Sequence, residues 1–145
     1  MRAHLTRFAA GFGIPAMHIP DRSPNTRAVL ALAEHARDAG RLRELRQAAM
    51  DAFWRYGDDL EDREVLARCA GAAGLDPARA LAAIDDPAIT ARVDAMGRDA
   101  ARAGVTGIPT FLIGGRRVVG CQPYQVLAGV AEAAGAKRRA GPHPA

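Results

Sequence analysis

After Gly104 the apolar period of this chain changes from helical to alternating, and that change limits what it can fold into. Pro109-Thr110-Phe111-Leu112-Ile113 is a short β-rich run, Gly114-Gly115 a two-residue turn, and Arg116-Arg117-Val118-Val119-Gly120 the return strand. A two-stranded hairpin is marginal in water by itself. Either helices cover this one, or its sheet expects strands that the chain does not contain.

Before Gly104 the chain reads as helices joined by a connector and short links. Leu5, Phe8, Ala9 and Phe12 suggest a short helix ending near Gly13, and Pro15, Pro20 and Pro24 enforce an extended connector from Ile14 to Pro24. Asn25 offers an N-cap oxygen to a helix over about Thr26 to Ala39, with Val29, Leu32, Ala33 and Ala36 on one face. The next runs from about Leu42 to Tyr56, with a buried stripe of Leu42, Leu45, Ala49, Ala52, Phe53 and Tyr56. After the acidic link Asp58 to Asp62, Asp62 caps a helix carrying Val65, Leu66, Cys69 and Ala73, which Gly74 stops. Asp76-Pro77 and Asp86-Pro87 each start a helix with Pro in the first turn. The second should end at Gly104 with Ile89, Val93, Met96 and Ala100 on one face. Past the hairpin, Gln122-Pro123 opens a last helix carrying Val126, Leu127 and Val130, and a basic, proline-rich tail follows. No internal repeat is present.

Composition narrows the function classes. The chain has 145 residues, 49% of them hydrophobic, and no run of the roughly 18 apolar residues a membrane span needs, so no membrane partner is expected. The net charge is +4, and Lys137 is the one lysine among 20 cationic side chains. Arginine invites a nucleic-acid reading. However, Arg37, Arg41, Arg43 and Arg46 interleave with Glu34, Asp38 and Glu44, the pattern of a solvated helix face, so no nucleic-acid partner is expected. In the opening Met1 to Phe8, Arg7 interrupts any apolar core, and Gly13 and Pro15 follow closely. A signal peptide is therefore not expected; the expectation is a cytoplasmic protein with reduced thiols.

Few residues offer chemistry. His4, His18, His35 and His143 show no metal-ligand spacing, and the two cysteines cannot hold a structural zinc, so neither metal nor other cofactor is expected. Ser23 lacks the setting of a nucleophile elbow, and Gly114-Gly115 is a turn, not a phosphate loop. Cys69 sits on an apolar helix face, where a thiol is buried and inert. Cys121, just past the hairpin, reads either as a small buried or half-buried residue or as a reactive thiol near a helix N-terminus. A pairing of Cys69 with Cys121 stays open at this level. Phe53-Trp54 reads as core or domain-edge packing. There is no C-x-x-C.

The string Gly104-Val105-Thr106-Gly107-Ile108-Pro109-Thr110-Phe111, the hairpin, and Gly120-Cys121-Gln122-Pro123-Tyr124 before a helix resemble the C-terminal part of DsbA-like thioredoxin-fold proteins, particularly the FrnE-type branch. Upstream, Gly40-Arg41, Phe53-Trp54, Asp58 to Asp62 with Val65-Leu66, and Gly74-Leu75-Asp76 resemble that family's inserted helical domain. The resemblance implies a partial α/β thioredoxin-like fold, mostly helical, with a C-terminal β-hairpin and terminal helix. It implies an N-terminal remnant and connector over 1–24, a helical insertion over 25–103, a thioredoxin portion over 104–135 and a flexible tail over 136–145.

It also implies that Pro109 is cis and that Ile108 and Pro109 bind an extended substrate through the Ile108 backbone. From the residues alone, a trans proline at the first position of an edge strand is the default, since an X-Pro bond is cis only about 5–6% of the time. The family's nucleophilic C-x-x-C stands at the start of its first helix, and this sequence holds no such motif. The first strand, the nucleophile and the second strand are thus expected to be missing, as in a truncated product, a misassigned start or a degenerate paralogue.

Three readings follow. One is a family member of the thiol–disulfide oxidoreductases without redox activity or a catalytic residue of its own, engaging a thiol or disulfide protein substrate only where a complete active site is supplied. Another is a non-catalytic helical interaction or dimerisation module, with a homodimer covering an open sheet edge. The third is a glutathione-linked isomerase-like protein (the hydroxychromene carboxylate isomerase branch). Gly120-Cys121-Gln122-Pro123 is less similar to that branch's Trp-Gly-x-Asp pattern.

Overall fold

The computed structural model describes residues 2–11, 13, 18, 19, 21 and 23–137, and the side chains of all of these except residues 2–4 and 8. Most of the expected connector from Ile14 to Pro24, and the tail beyond Lys137, lie outside the described residues. The chain divides into two compact units, 1–96 and 97–145, and the division falls inside one helix.

The first unit is helical: α1 (Arg2–Gly11), α2 (Arg27–Asp38), α3 (Leu42–Met50), α4 (Arg63–Ala72), α5 (Pro77–Ile84) and most of α6 (Pro87–Arg102). Its caps follow from the acidic punctuation. The Asp62 carboxylate accepts from the Glu64 N–H, and the Asp76 carboxylate from the Arg79 N–H. Asn25 accepts from the Arg27 N–H at 3.0 Å, but Thr26, with no side-chain cap bond, holds the N-cap position of α2.

The core is built where the apolar stripes of α2 to α5 meet. Leu32, Leu45 and Leu66 are its largest fully buried side chains. Ala36, Ala49, Ala52, Ala70, Ala73 and Ala80 fill the space around them. Each buried leucine contributes about 1.5–3 kcal/mol of transfer free energy, and small alanines let the helices approach closely enough to exclude water. Ala31, Ala83, Ile89 and Val93 form a second, smaller cluster. Met96 is 41% exposed, so the expected stripe of α6 is buried only in its first half.

Two expectations need correction here. The helix from Leu42 does not run unchanged to Tyr56, because α3 gives way to a π-helical turn over Asp51–Tyr56. The wider turn rotates the following positions off the stripe, which leaves Tyr56 68% exposed. The second correction concerns Glu34, which is not on a solvated face. It is buried and accepts from Arg37 Nε at 3.0 Å and from Arg92 Nη2 at 2.6 Å. Arg92 also forks onto Asp38 at 2.6 and 3.0 Å. A buried carboxylate is tolerable only with such partners, and the decisive one comes from α6, far along the chain.

The second unit holds the end of α6, strands β1 (Thr110–Ile113) and β2 (Arg116–Val119), and α7 (Tyr124–Ala133). The strands pair antiparallel, Thr110 with Val119 through Ile113 with Arg116. No residue of β1, β2 or α7 is buried. Val126, expected on the apolar face of α7, is 43% exposed, and Leu127 and Val130 are half-buried. Among the described residues no helix is long and apolar enough to cross a membrane.

Candidate substrate-binding loop and thiols

The loop between α6 and β1 is held from several sides. At the helix end, the Gly104 N–H donates to Ala101 O at 2.9 Å and the Val105 N–H to Ala100 O at 3.0 Å. The Arg117 guanidinium lies against Gly104, where a side chain would have to displace it, and Arg117 Nη1 donates to Ala103 O at 3.4 Å. Thr110 Oγ1 donates to Gly107 O at 2.5 Å, spanning Ile108 and Pro109. The Gly120 N–H donates to Pro109 O at 2.8 Å, which closes the open end of the hairpin.

Between these anchors stands Ile108, 91% exposed. The Ile108–Pro109 peptide bond is cis. Among the described residues neither the N–H nor the C=O of Ile108 takes part in a backbone hydrogen bond. A backbone donor and acceptor presented beside a fixed proline can pair with an extended chain.

Cys121 follows Gly120 directly, so it sits at the same end of the hairpin as Ile108 and Pro109. It is exposed, which corrects the expectation of a buried or half-buried small residue. The reason is local: within the second unit, neither the hairpin nor α7 covers the bend that leads to Pro123, the N-cap residue of α7. Cys69 is buried on α4, and burial pushes its thiol up from the ordinary value of 9.0. Both thiols are free, and they belong to different units.

In the first unit, Phe53 and Trp54 are both half-buried, their rings edge to face with centroids 4.8 Å apart. The His18 N–H donates to Trp54 O at 2.7 Å. The His18 ring lies on Gly57, whose φ of +74° ends the π-helical turn and whose lack of a side chain admits the imidazole. His18, Asp21, Phe53 and Asp58 help to line an open depression of about 310 Å³. Among the described residues no cluster of His, Cys, Asp or Glu forms a metal-binding group.

Sequence reasoning named Ile108, Pro109 and Cys121 as candidates but missed the bonds that hold the loop around Ile108 and Pro109. The bonds of Thr110 to Gly107 and of Arg117 to the end of α6 join residues whose types carry no signal of the pairing.

A family model, described as the DSBA-like thioredoxin domain, matches residues 1–132. The chain belongs to this DsbA-like family. The fold is DsbA-like and mostly helical, ending in a two-stranded antiparallel sheet and a terminal helix. Among solved structures it is similar to a probable DsbA oxidoreductase from Streptomyces coelicolor, at 30% identity and a TM-score of 0.74. The match covers 98% of this chain and 62% of that one, so the DsbA-like chain spans about three-fifths of the oxidoreductase's length. A comparison with curated proteins found no match.

Proposed function

We propose that this DsbA-like chain is the substrate-holding part of a thiol–disulfide exchange system and does not by itself carry out the exchange. Dithiol exchange needs an attacking thiolate and a second thiol poised to resolve the mixed disulfide. Cys69 is buried with its thiol held protonated, and Cys121 stands alone in the other unit. The observation that carries the reading is Ile108. Its side chain and its backbone donor and acceptor are open beside Pro109, in a loop that a family match includes. A protein substrate held there would be turned over where a C-x-x-C pair is supplied.

Insulin reduction by dithiothreitol tests the claim. The 145-residue chain should not accelerate precipitation above the blank. Acceleration that Cys121→Ala abolishes would overturn it.

A second reading is a non-catalytic interaction module, favoured by the exposed Phe111, Leu112, Tyr124 and Val126 of the second unit. A homodimer is the simplest form of it. Light scattering after size exclusion decides: a monomer at all concentrations removes the dimer, whereas a stable dimer supports it.

A further inference from the structure

Among the described residues Glu34 is the one buried charged side chain, and its compensation comes partly from outside its own helix. Arg37 of α2 donates to it, and so does Arg92 of α6, at 2.6 Å. The same Arg92 forks onto Asp38 at 2.6 and 3.0 Å. A second fork runs in the opposite sense, from Arg27 of α2 onto both carboxylate oxygens of Asp94 of α6. Two bidentate pairs and a buried carboxylate therefore join α2 to the first half of α6.

Their spacing shows how the two helices meet. Arg27 and Asp38 are the first and last residues of the twelve-residue α2, about 16 Å apart along its axis. Arg92 and Asp94 are about 3 Å apart along α6 and leave it on different sides. α6 therefore lies across α2, not along it, with one clasp on either side of the crossing. Val93, between the two clasp residues, belongs to the small cluster of Ala31, Ala83 and Ile89. Ile89 and Val93 are the residues that α6 buries, and Ala31 is all that α2 adds to that cluster. A lone alanine gives a crossing helix little apolar area to hold. The main core around Leu32, Leu45 and Leu66 includes no residue of α6.

We propose that the Arg27–Asp94 and Arg92–Asp38–Glu34 clasps form a latch, whose opening releases α6 from α2 while α2 to α5 stay folded. The latch is independent of the reading of Ile108 as a substrate-holding residue. It acts on the helix that precedes the Gly104 loop in the chain. Isolated surface ion pairs contribute little, but bidentate geometry and shared partners are the exceptions, and both are present here. The Arg92 and Asp38 side chains are 40% and 56% exposed, so salt reaches this clasp and weakens it. Losing Arg92 costs more than one surface pair, because buried Glu34 is left with Arg37. Once detached, a helix of sixteen residues is marginal in water and loses its amide protection.

Hydrogen exchange of the full chain, read by mass spectrometry over 87–96 and over α3 and α4, tests the latch. Arg92→Gln should speed exchange over 87–96 by about tenfold and leave α3 and α4 as they were. Arg27→Gln should act in the same direction more weakly, and the double variant more strongly than either. Arg46→Gln makes the same change of charge at an exposed position of α3 and should leave 87–96 unaltered. If circular dichroism shows that Arg92→Gln does not fold, Arg27→Gln decides alone. Equal acceleration over 87–96, α3 and α4 would mean that the clasps serve only global stability, and would overturn the latch. Unchanged exchange over 87–96 in the clasp variants would overturn it too, as would an equal effect of Arg46→Gln.

Discussion

Gly114 shows what one missing side chain can decide. Its φ is +53°, and a Cβ there would stand 2.4 Å from the Cβ of Ala134 at the end of α7. Gly114→Ala should therefore destabilise the second unit by more than the about 1–2 kcal/mol that a left-handed alanine costs alone. A lowered midpoint in chemical denaturation, read from the second unit's signals, would show it; an unchanged midpoint would refute the close approach. Cys69 and Cys121 differ as sharply, one buried with its thiol pushed up, the other exposed. A thiol reagent at neutral pH should label one cysteine per native chain and two in denaturant. Rapid native labelling of both would mean that α4 is not packed as described. The apolar setting of Cys69 was readable from its neighbours Val65, Leu66 and Ala73, because a helical stripe is a local pattern. The exposure of Cys121 was not, because it depends on what fails to pack over the bend.

At the scale of elements, the starts of helices were legible and one interior was not. Asp62 and Asp76 cap α4 and α5 through bonds of 2.8 Å to the Glu64 and Arg79 N–H groups. Asp76→Ala should cost about 1 kcal/mol, measured as a shift in urea midpoint, and Asp76→Ser should recover most of it. Failure of serine to rescue would argue that the loss is not a capping loss. The π-helical turn over Asp51–Tyr56 left no comparable mark. Its residues suit a continuing α-helix, and the turn shows itself only in Tyr56 leaving the buried stripe. The hairpin was legible from Gly114-Gly115 between two β-rich runs, and the register around that turn pairs Ile113 with Arg116.

For the whole molecule, the contrast between units makes one prediction and the ion pairs of the first unit make another. Hydrogen exchange should be slowest in α2 to α5 around Leu32, Leu45 and Leu66, and much faster in β1, β2 and α7, which bury no residue. Uniform protection across the chain would contradict that contrast. The second concerns acid. Hydrogen bonds from Arg92 hold the Asp38 carboxyl below its ordinary value of 3.8, and those from Arg63 do the same for Asp85. A carboxyl depressed in the folded state adds stability above its unfolded value, and that contribution is lost as pH falls through the depressed value. Melting temperature should thus be level from neutrality to about pH 5 and drop in stronger acid. Asp38→Asn should make that drop shallower; a variant with an unchanged acid limb would show that the pair contributes nothing.

By itself the sequence determined the helical punctuation, the position of the lone hairpin and the absence of a C-x-x-C pair. Gly, Pro and Asp act on the backbone within a few residues, and a motif is present or absent wherever the chain folds. Only the tertiary structure decided that Arg92 reaches back to Glu34, that Arg117 lies on Gly104, and that Ile108, Pro109 and Cys121 share one end of a hairpin. These meetings join residues distant in the chain or separated by a turn. Their formation depends on how faces pack, which no local pattern encodes.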